Sequence, residues 1–221
     1  MQLTRSDICL LCDAPGGTIV NLCDACAREL PTPPDPCRLC AAIAVPGTGL
    51  CPVCTTRPPL IDRTICALAY MSPVDYLIAR MKFHSDLRVV PTLAGLLLRH
   101  VAPGTGTDWL APVPITASRL RRRGFNQALE LARVVGKDTG IGITRVIHRR
   151  RDADTPQSSL PDTAARRANV AHAFQARARV SGRVAIIDDV VTTASTVNAL
   201  TRCLKRAGAS EVEVWAVART P

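Results

Sequence analysis

The apolar positions of the chain fall into two kinds of run. Short continuous runs at Thr64–Tyr70, Asp108–Pro114, Val184–Ile187 and Glu211–Ala218 have the length of strands buried in a sheet. A further short strand is expected at Thr144–His148. Between the strands, apolar residues recur at helical spacing. One helix is expected from Pro73 to His84, and a second from Leu87 to Val101 with an interruption at Pro91. A third carries Ala128, Leu129, Leu131, Ala132 and Val135. A fourth shows Val197, Leu200, Cys203 and Leu204 on one face and stops at Gly208. Strands alternating with helices predict an α/β fold: a parallel sheet with helices on both faces. The stretch 152–162 has no apolar period and reads as a loop that could cover a site, and Ser181-Gly182 reads as a hinge.

Residues 1–56 have a different texture. Eight of the ten cysteines lie there as four C-x-x-C pairs, Cys9/Cys12, Cys23/Cys26, Cys37/Cys40 and Cys51/Cys54, and successive pairs start 14 residues apart. Two such pairs complete a tetrahedral Cys₄ site, so the pattern predicts two structural Zn²⁺ ions in a double zinc ribbon. Too few apolar residues separate the pairs to build a core, so metal must supply the folding energy. Spacing leaves the pairing open between neighbouring and alternate pairs. Redox C-x-x-C motifs do not come in fours, and a disulfide framework would require export. The expected division is a Cys-rich module at 1–58, ending in a Pro-containing linker at Thr55–Asp62, and an α/β domain at 59–221.

Chemistry concentrates at two places in the second part. Asp188 and Asp189 follow the apolar run Val184–Ile187, and a hydroxyl-rich turn then leads into a helix. Ligands bind at the carboxyl ends of parallel strands, and a helix N-terminus there suits phosphate. The carboxylates suit ribose hydroxyls or hydrated Mg²⁺. A phosphorylated ribose therefore fits, with Val190, Val191, Thr192, Thr193, Ala194, Ser195 and Thr196 around its phosphate. Earlier in the chain, Arg119, Arg121, Arg122 and Arg123 cluster in a stretch read as a loop, with Asn126 and Gln127 close behind. Such a cluster suits pyrophosphate or a nucleic-acid backbone.

The formal net charge of +10 points to an anionic partner. Two Cys₄ zinc sites would each add about −2 and leave about +6. Aromatics at 3% argue against stacking platforms for single strands. No apolar run reaches membrane-spanning length, and the N-terminus lacks the pattern of a secretory signal, so a cytoplasmic location without membrane insertion is expected. His84, His100, Cys66 and Cys203 have no catalytic context; the histidines are expected at the surface and the cysteines in the core.

Several motifs then point one way: A-P-V-P-I at 111–115, R-L-R-R-R-G-F-N-Q-A at 119–128, T-P-Q at 155–157, R-R-A-N-V at 166–170 and I-D-D-V-V-T-T at 187–193. With the N-terminal C-x-x-C pairs, they resemble the ComF/GntX-type family over essentially the whole chain. The acidic pair and its loop are similar to the 5-phosphoribosyl-1-pyrophosphate (PRPP) motif of type I phosphoribosyltransferases. Ala194 stands where that loop usually has Gly, and a positive φ there would strain it. The resemblance implies a type I phosphoribosyltransferase-like sheet behind a zinc module. It further implies a transferase that binds Mg-PRPP through Asp188 and Asp189, with an acceptor that no motif specifies. A link to natural competence also follows from it, with single-stranded DNA and competence or recombination proteins as partners. The alternative is a non-catalytic nucleic-acid-binding protein on the same fold.

Overall fold

The structure, a computed structural model, describes residues 8–149, 173–192 and 195–221. The expected loop at 152–162, the R-R-A-N-V motif, Thr193 and Ala194 lie outside the described residues.

Five strands form one parallel sheet in the order β1 (Arg63–Ala69), β7 (Glu211–Arg219), β6 (Arg183–Val191), β2 (Trp109–Pro112), β3 (Gly142–Ile143). The central strands carry continuous apolar runs, Val184–Ile187 in β6 and Val214–Ala218 in β7, because both faces are covered there. In β6, Ala185 and Ile187 face one core while Val184 and Ile186 face the other. In β7 the same alternation sends Trp215 and Val217 one way and Val214 and Ala216 the other.

One face is covered by α3 (Val74–His84), α4 (Val89–Leu98) and α6 (Gln127–Thr139). The other is covered by α7 (Ser195–Ala207) and a two-stranded antiparallel ribbon of β4 (Ile147–Arg149) and β5 (Phe174–Ala176). Of the strand expected at Thr144–His148, only Ile147 and His148 are extended, in β4 outside the main sheet, while β3 of the main sheet lies just before the expected range. Pro91 does not interrupt α4. It is the third residue of the helix, where the backbone N–H has no intrahelical partner to lose.

The cysteine-rich segment contains two short helices, α1 (Asp24–Glu29) and α2 (Pro52–Thr56), and packs directly on the sheet domain. Cys9, Ile19, Leu22 and Leu30 join the core beneath α3 and α4. Thr92 Oγ1 donates to Val20 C=O at 2.8 Å, and Asn21 Nδ2 donates to Arg88 C=O at 2.9 Å. Further on, the segment covers the outer edge of β1. Thr64 N–H donates to Arg38 C=O and Ala69 N–H to Pro31 C=O, both at 2.8 Å. The expected linker is anchored as well: α2 occupies its start, Leu60 N–H donates to Asn198 Oδ1, and Asp62 Oδ2 accepts from Val212 N–H.

Candidate functional site

Strand β6 does not stop at Ile187. Asp188 pairs with Ala216, Val190 with Ala218 and Val191 with Arg219, so both acids and both valines belong to the strand. Val190 and Val191 are therefore ladder residues and not loop residues, and the Val191 side chain is buried. The loop proper begins at the exposed Thr192, and α7 starts at Ser195, with Ser195 and Thr196 half-buried in its first turn.

The two carboxyls differ. Asp188 is half-buried, and its Oδ1 accepts from Asp189 N–H at 2.9 Å. Burial, then the neighbouring Asp189 charge, push Asp188 well above the usual carboxylate range. Asp189 is 3% exposed and pairs through Oδ2 with Lys82 Nζ at 2.5 Å. Lys82 arrives from the last turn of α3, at the edge of the face that buries Val74, Leu77, Ile78 and Met81. The helix ends at Ser85 in the left-handed region (φ 54°) and is clamped by Asp86. Asp86 accepts from Arg80 Nε at 3.1 Å and from Arg88 Nε at 2.9 Å. Arg88, then Arg80 against the cost of burial, hold Asp86 down to about 2.

The arginine cluster is a helix, α5 (Ala117–Arg123), and not the expected loop. Thr116 Oγ1 caps its start by accepting from Arg119 N–H at 3.1 Å, and Gly124 ends it at φ 79°. Arg119, Arg121 and Arg122 are exposed. Arg123 turns inward, with its guanidinium 5.7 Å from the centre of the Phe83 ring beside Lys82. Desolvation lowers the Arg123 pKa, and the Asp189 charge opposes that shift. Asn126 and Gln127 serve the fold: Asn126 Oδ1 caps α6 through Ala128 N–H, its Nδ2 donates to Val113 C=O at 3.0 Å, and Gln127 is buried.

The cysteines gather as neighbouring pairs, Cys9/Cys12 with Cys23/Cys26 and Cys37/Cys40 with Cys51/Cys54. Within each group all four sulfurs lie within 4.8 Å of one another. Cys12 and Cys23 Sγ are 3.7 Å apart, and Cys40 and Cys51 Sγ 3.6 Å. A tetrahedron with Zn–S bonds of about 2.3 Å has edges of about 3.8 Å, so each group could hold zinc. Backbone N–H groups point at sulfur, from Cys26 to Cys23 and from Cys54 to Cys51, both at 3.4 Å. Burial works to raise Cys9 and Cys37, but backbone donors outweigh it and bring them to about 6 and about 7. The two groups differ in exposure: the second is wholly buried, whereas Cys12 of the first is exposed.

The phosphoribosyl transferase domain family matches residues 120–221. DNA utilization protein YhgH of Escherichia coli O157:H7 is 31% identical over 99% of this chain and 100% of its own length. Competence protein F of Haemophilus influenzae is 30% identical over 90% of both. The chain belongs to the ComF/YhgH family. The solved structure of the allosteric regulatory enzyme of purine biosynthesis superposes with a TM-score of 0.37 at 23% identity, over 57% of this chain and 24% of that one.

The ComF/YhgH chain thus carries a phosphoribosyltransferase-type domain behind two Cys₄ groups. The domain match includes Asp188, Asp189 and Arg121–Arg123, and begins after Lys82. Lys82 is the site residue that sequence reasoning missed. Its only local mark is a cation just beyond the apolar stripe of α3, a signal shared by most surface lysines. His84 and His100 are exposed, as expected. Cys66 is buried, which pushes its thiol up to about 12, while Cys203 is only half-buried. Among the described residues, no helix is long and apolar enough to cross a membrane.

Proposed function

We propose that this protein binds Mg-PRPP, or a related phosphoribosyl group, at the carboxyl end of β6, and that it acts as a phosphoribosyltransferase. The observation that carries this reading is the meeting of three elements at one strand end. The acidic pair Asp188/Asp189 sits on β6, the inward-turned Arg123 on α5, and the start of α7 follows four residues after Val191. In this reading, Asp188 and Asp189 hold the ribose hydroxyls or the accompanying Mg²⁺. Thr192–Thr196 and the α7 N-terminus take the 5-phosphate. Arg123, with Arg119, Arg121 and Arg122 around it, faces pyrophosphate and stabilises charge on the departing group. Mg²⁺, when bound with the ligand, neutralises phosphate charge. Asp188→Asn with Asp189→Asn abolishes binding in a calorimetric titration of PRPP with Mg²⁺. Absence of binding to the wild type at millimolar PRPP would sink the reading.

Residues 59–221 form the ligand-binding domain in this proposal and 1–58 the zinc module, with zinc as the ion in both Cys₄ groups. The relatives' names, DNA utilization protein and competence protein, support a role in DNA uptake and the handling of single-stranded DNA, alongside competence or recombination proteins.

A second reading is favoured by one observation: Arg119, Arg121 and Arg122 line an exposed helix. Here the domain binds nucleic acid without catalysis. Affinity for a single-stranded oligonucleotide then falls steeply between two salt concentrations. Salt-independent affinity counts against this version.

A further inference from the structure

Asp189 and Asp188 form the only acidic pair at the β6 end, among the described residues, that could receive a hydrated divalent cation. Yet one half of that pair is already occupied by the protein. Lys82 Nζ sits 2.5 Å from Asp189 Oδ2, with the two side chains 18% and 4% exposed. A Mg²⁺ ion needs close, near-octahedral oxygen ligands, and it cannot share this oxygen with an ammonium in contact. Arg123 brings a second cation near the same carboxylate, held over the Phe83 ring at 5.7 Å.

Nor is Lys82 a loose surface side chain. The buried face of α3 fixes its backbone. Asp86 ties Arg80 to Arg88 and so closes the helix end, and Arg80 Nη1 also donates to Leu10 C=O at 3.1 Å. The residue type matters too. An ammonium on a four-carbon stem is a point charge that can pivot, whereas a guanidinium would lock to the carboxylate in a bidentate fork.

We propose that Lys82 is the resident counter-cation of the acidic pair. A divalent cation then enters only together with the anionic phosphoribosyl ligand, whose phosphates take over the Lys82 ammonium. This rests on the ligand reading above and assigns a positioning residue that lies outside the matched domain family. The exchange is electrostatically balanced. The arriving cation and ribose hydroxyls satisfy Asp189 as Lys82 leaves it, and the phosphates satisfy Lys82. Without the ligand, removing Lys82 from its carboxylate leaves a buried carboxylate and a half-buried ammonium unpaired.

The test is a Mn²⁺ titration of the zinc-loaded full chain, followed by the electron paramagnetic resonance signal of free Mn²⁺. Wild type without PRPP shows negligible binding at submillimolar Mn²⁺ and, when PRPP is added, gains a bound fraction beyond that held by the same PRPP without protein. Lys82→Met binds Mn²⁺ without PRPP at least about tenfold more tightly, because no ammonium covers the Asp189 oxygen. Lys82→Arg keeps Mn²⁺ out without PRPP, as wild type does, and gains less bound Mn²⁺ than wild type when PRPP is added, because the guanidinium stays forked on the carboxylate. Tight Mn²⁺ binding by wild type alone, or equal binding by wild type and Lys82→Met, overturns the proposal. If Lys82→Met does not fold, Lys82→Gln replaces it, and the wild-type arm still decides. Absence of PRPP binding with the Mn²⁺ contrast between wild type and Lys82→Met intact overturns the ligand reading and leaves the counter-cation assignment standing.

Discussion

Asp188 and Asp189 are adjacent in sequence and occupy different electrostatic worlds. Asp189 has Lys82 against it, while Asp188 has burial and a neighbouring carboxylate, which raise its pKa. A carboxyl raised in the folded state opposes folding once the unfolded chain ionises more readily than the folded one. That cost is absent at pH values below the usual carboxylate range. It grows as pH rises through that range and is complete above the raised value. Asp188→Asn removes it and can keep the hydrogen bond from Asp189 N–H. The variant is therefore expected to melt a few degrees above wild type at pH 8, since 1 kcal/mol corresponds to about 2–4 °C at this chain length. Calorimetry should show the gap narrowing as pH is lowered. Equal melting at pH 8 would mean that Asp188 is not a strained group. Such strain belongs at a binding site, where a ligand relieves it.

At the scale of elements, the stretch Arg123–Gln127 shows how a motif can serve geometry. Gly124 ends α5, Phe125 packs on the core, Asn126 starts α6, and Gln127 is buried behind it. Asn126 does two jobs at once, capping α6 and holding the end of β2 through Val113 C=O. Asn126→Ala is expected to cost about 1–2 kcal/mol in chemical denaturation. Asn126→Asp, which keeps the cap and loses the donor to Val113, should fall between that variant and wild type. A loss of anion binding without loss of stability would instead make Asn126 a direct ligand. Sequence reasoning expected such a contact, because a polar side chain beside an arginine cluster looks the same whether it faces solvent or a carbonyl. The cluster was legible as basic, but its helical state depended on the Thr116 and Gly124 caps.

For the whole molecule, the cysteine-rich segment is part of the sheet domain's architecture. It pairs with the outer edge of β1 and lays Cys9, Leu22 and Leu30 into the core. Two arginines join the Cys₄ groups to the walls of the site. Arg80 reaches Leu10 C=O from the helix that carries Lys82. Arg219 donates to Cys40 C=O at 3.2 Å and to Val191 C=O at 3.3 Å, where β6 ends. Metal analysis is expected to return about two zinc per chain. Chelation should lower the melting temperature of the whole chain in one transition and cause light scattering, because β1 loses its cover and becomes an exposed edge. A sheet domain that melts unchanged after chelation would show that the module is only appended. With Cys12 exposed and the second group buried, the first zinc should leave first, which a two-phase chromogenic chelator assay would resolve.

The sequence by itself determined the class of the fold, the four C-x-x-C pairs, the acidic pair with its hydroxyl-rich turn, and the basic cluster. These are local signals, set by hydrophobic period, residue chemistry and spacing over a few residues. Tertiary structure decided which cysteine pairs share a site, because spacing satisfied both pairings and only the chain path selects neighbours. It also carried β6 on to Val191, since β7 offers partners that far, and turned Arg123 inward onto Phe83. Above all it brought Lys82 to Asp189, across more than a hundred residues of sequence. No local pattern encodes that contact, because it exists only where the end of α3 meets the end of β6.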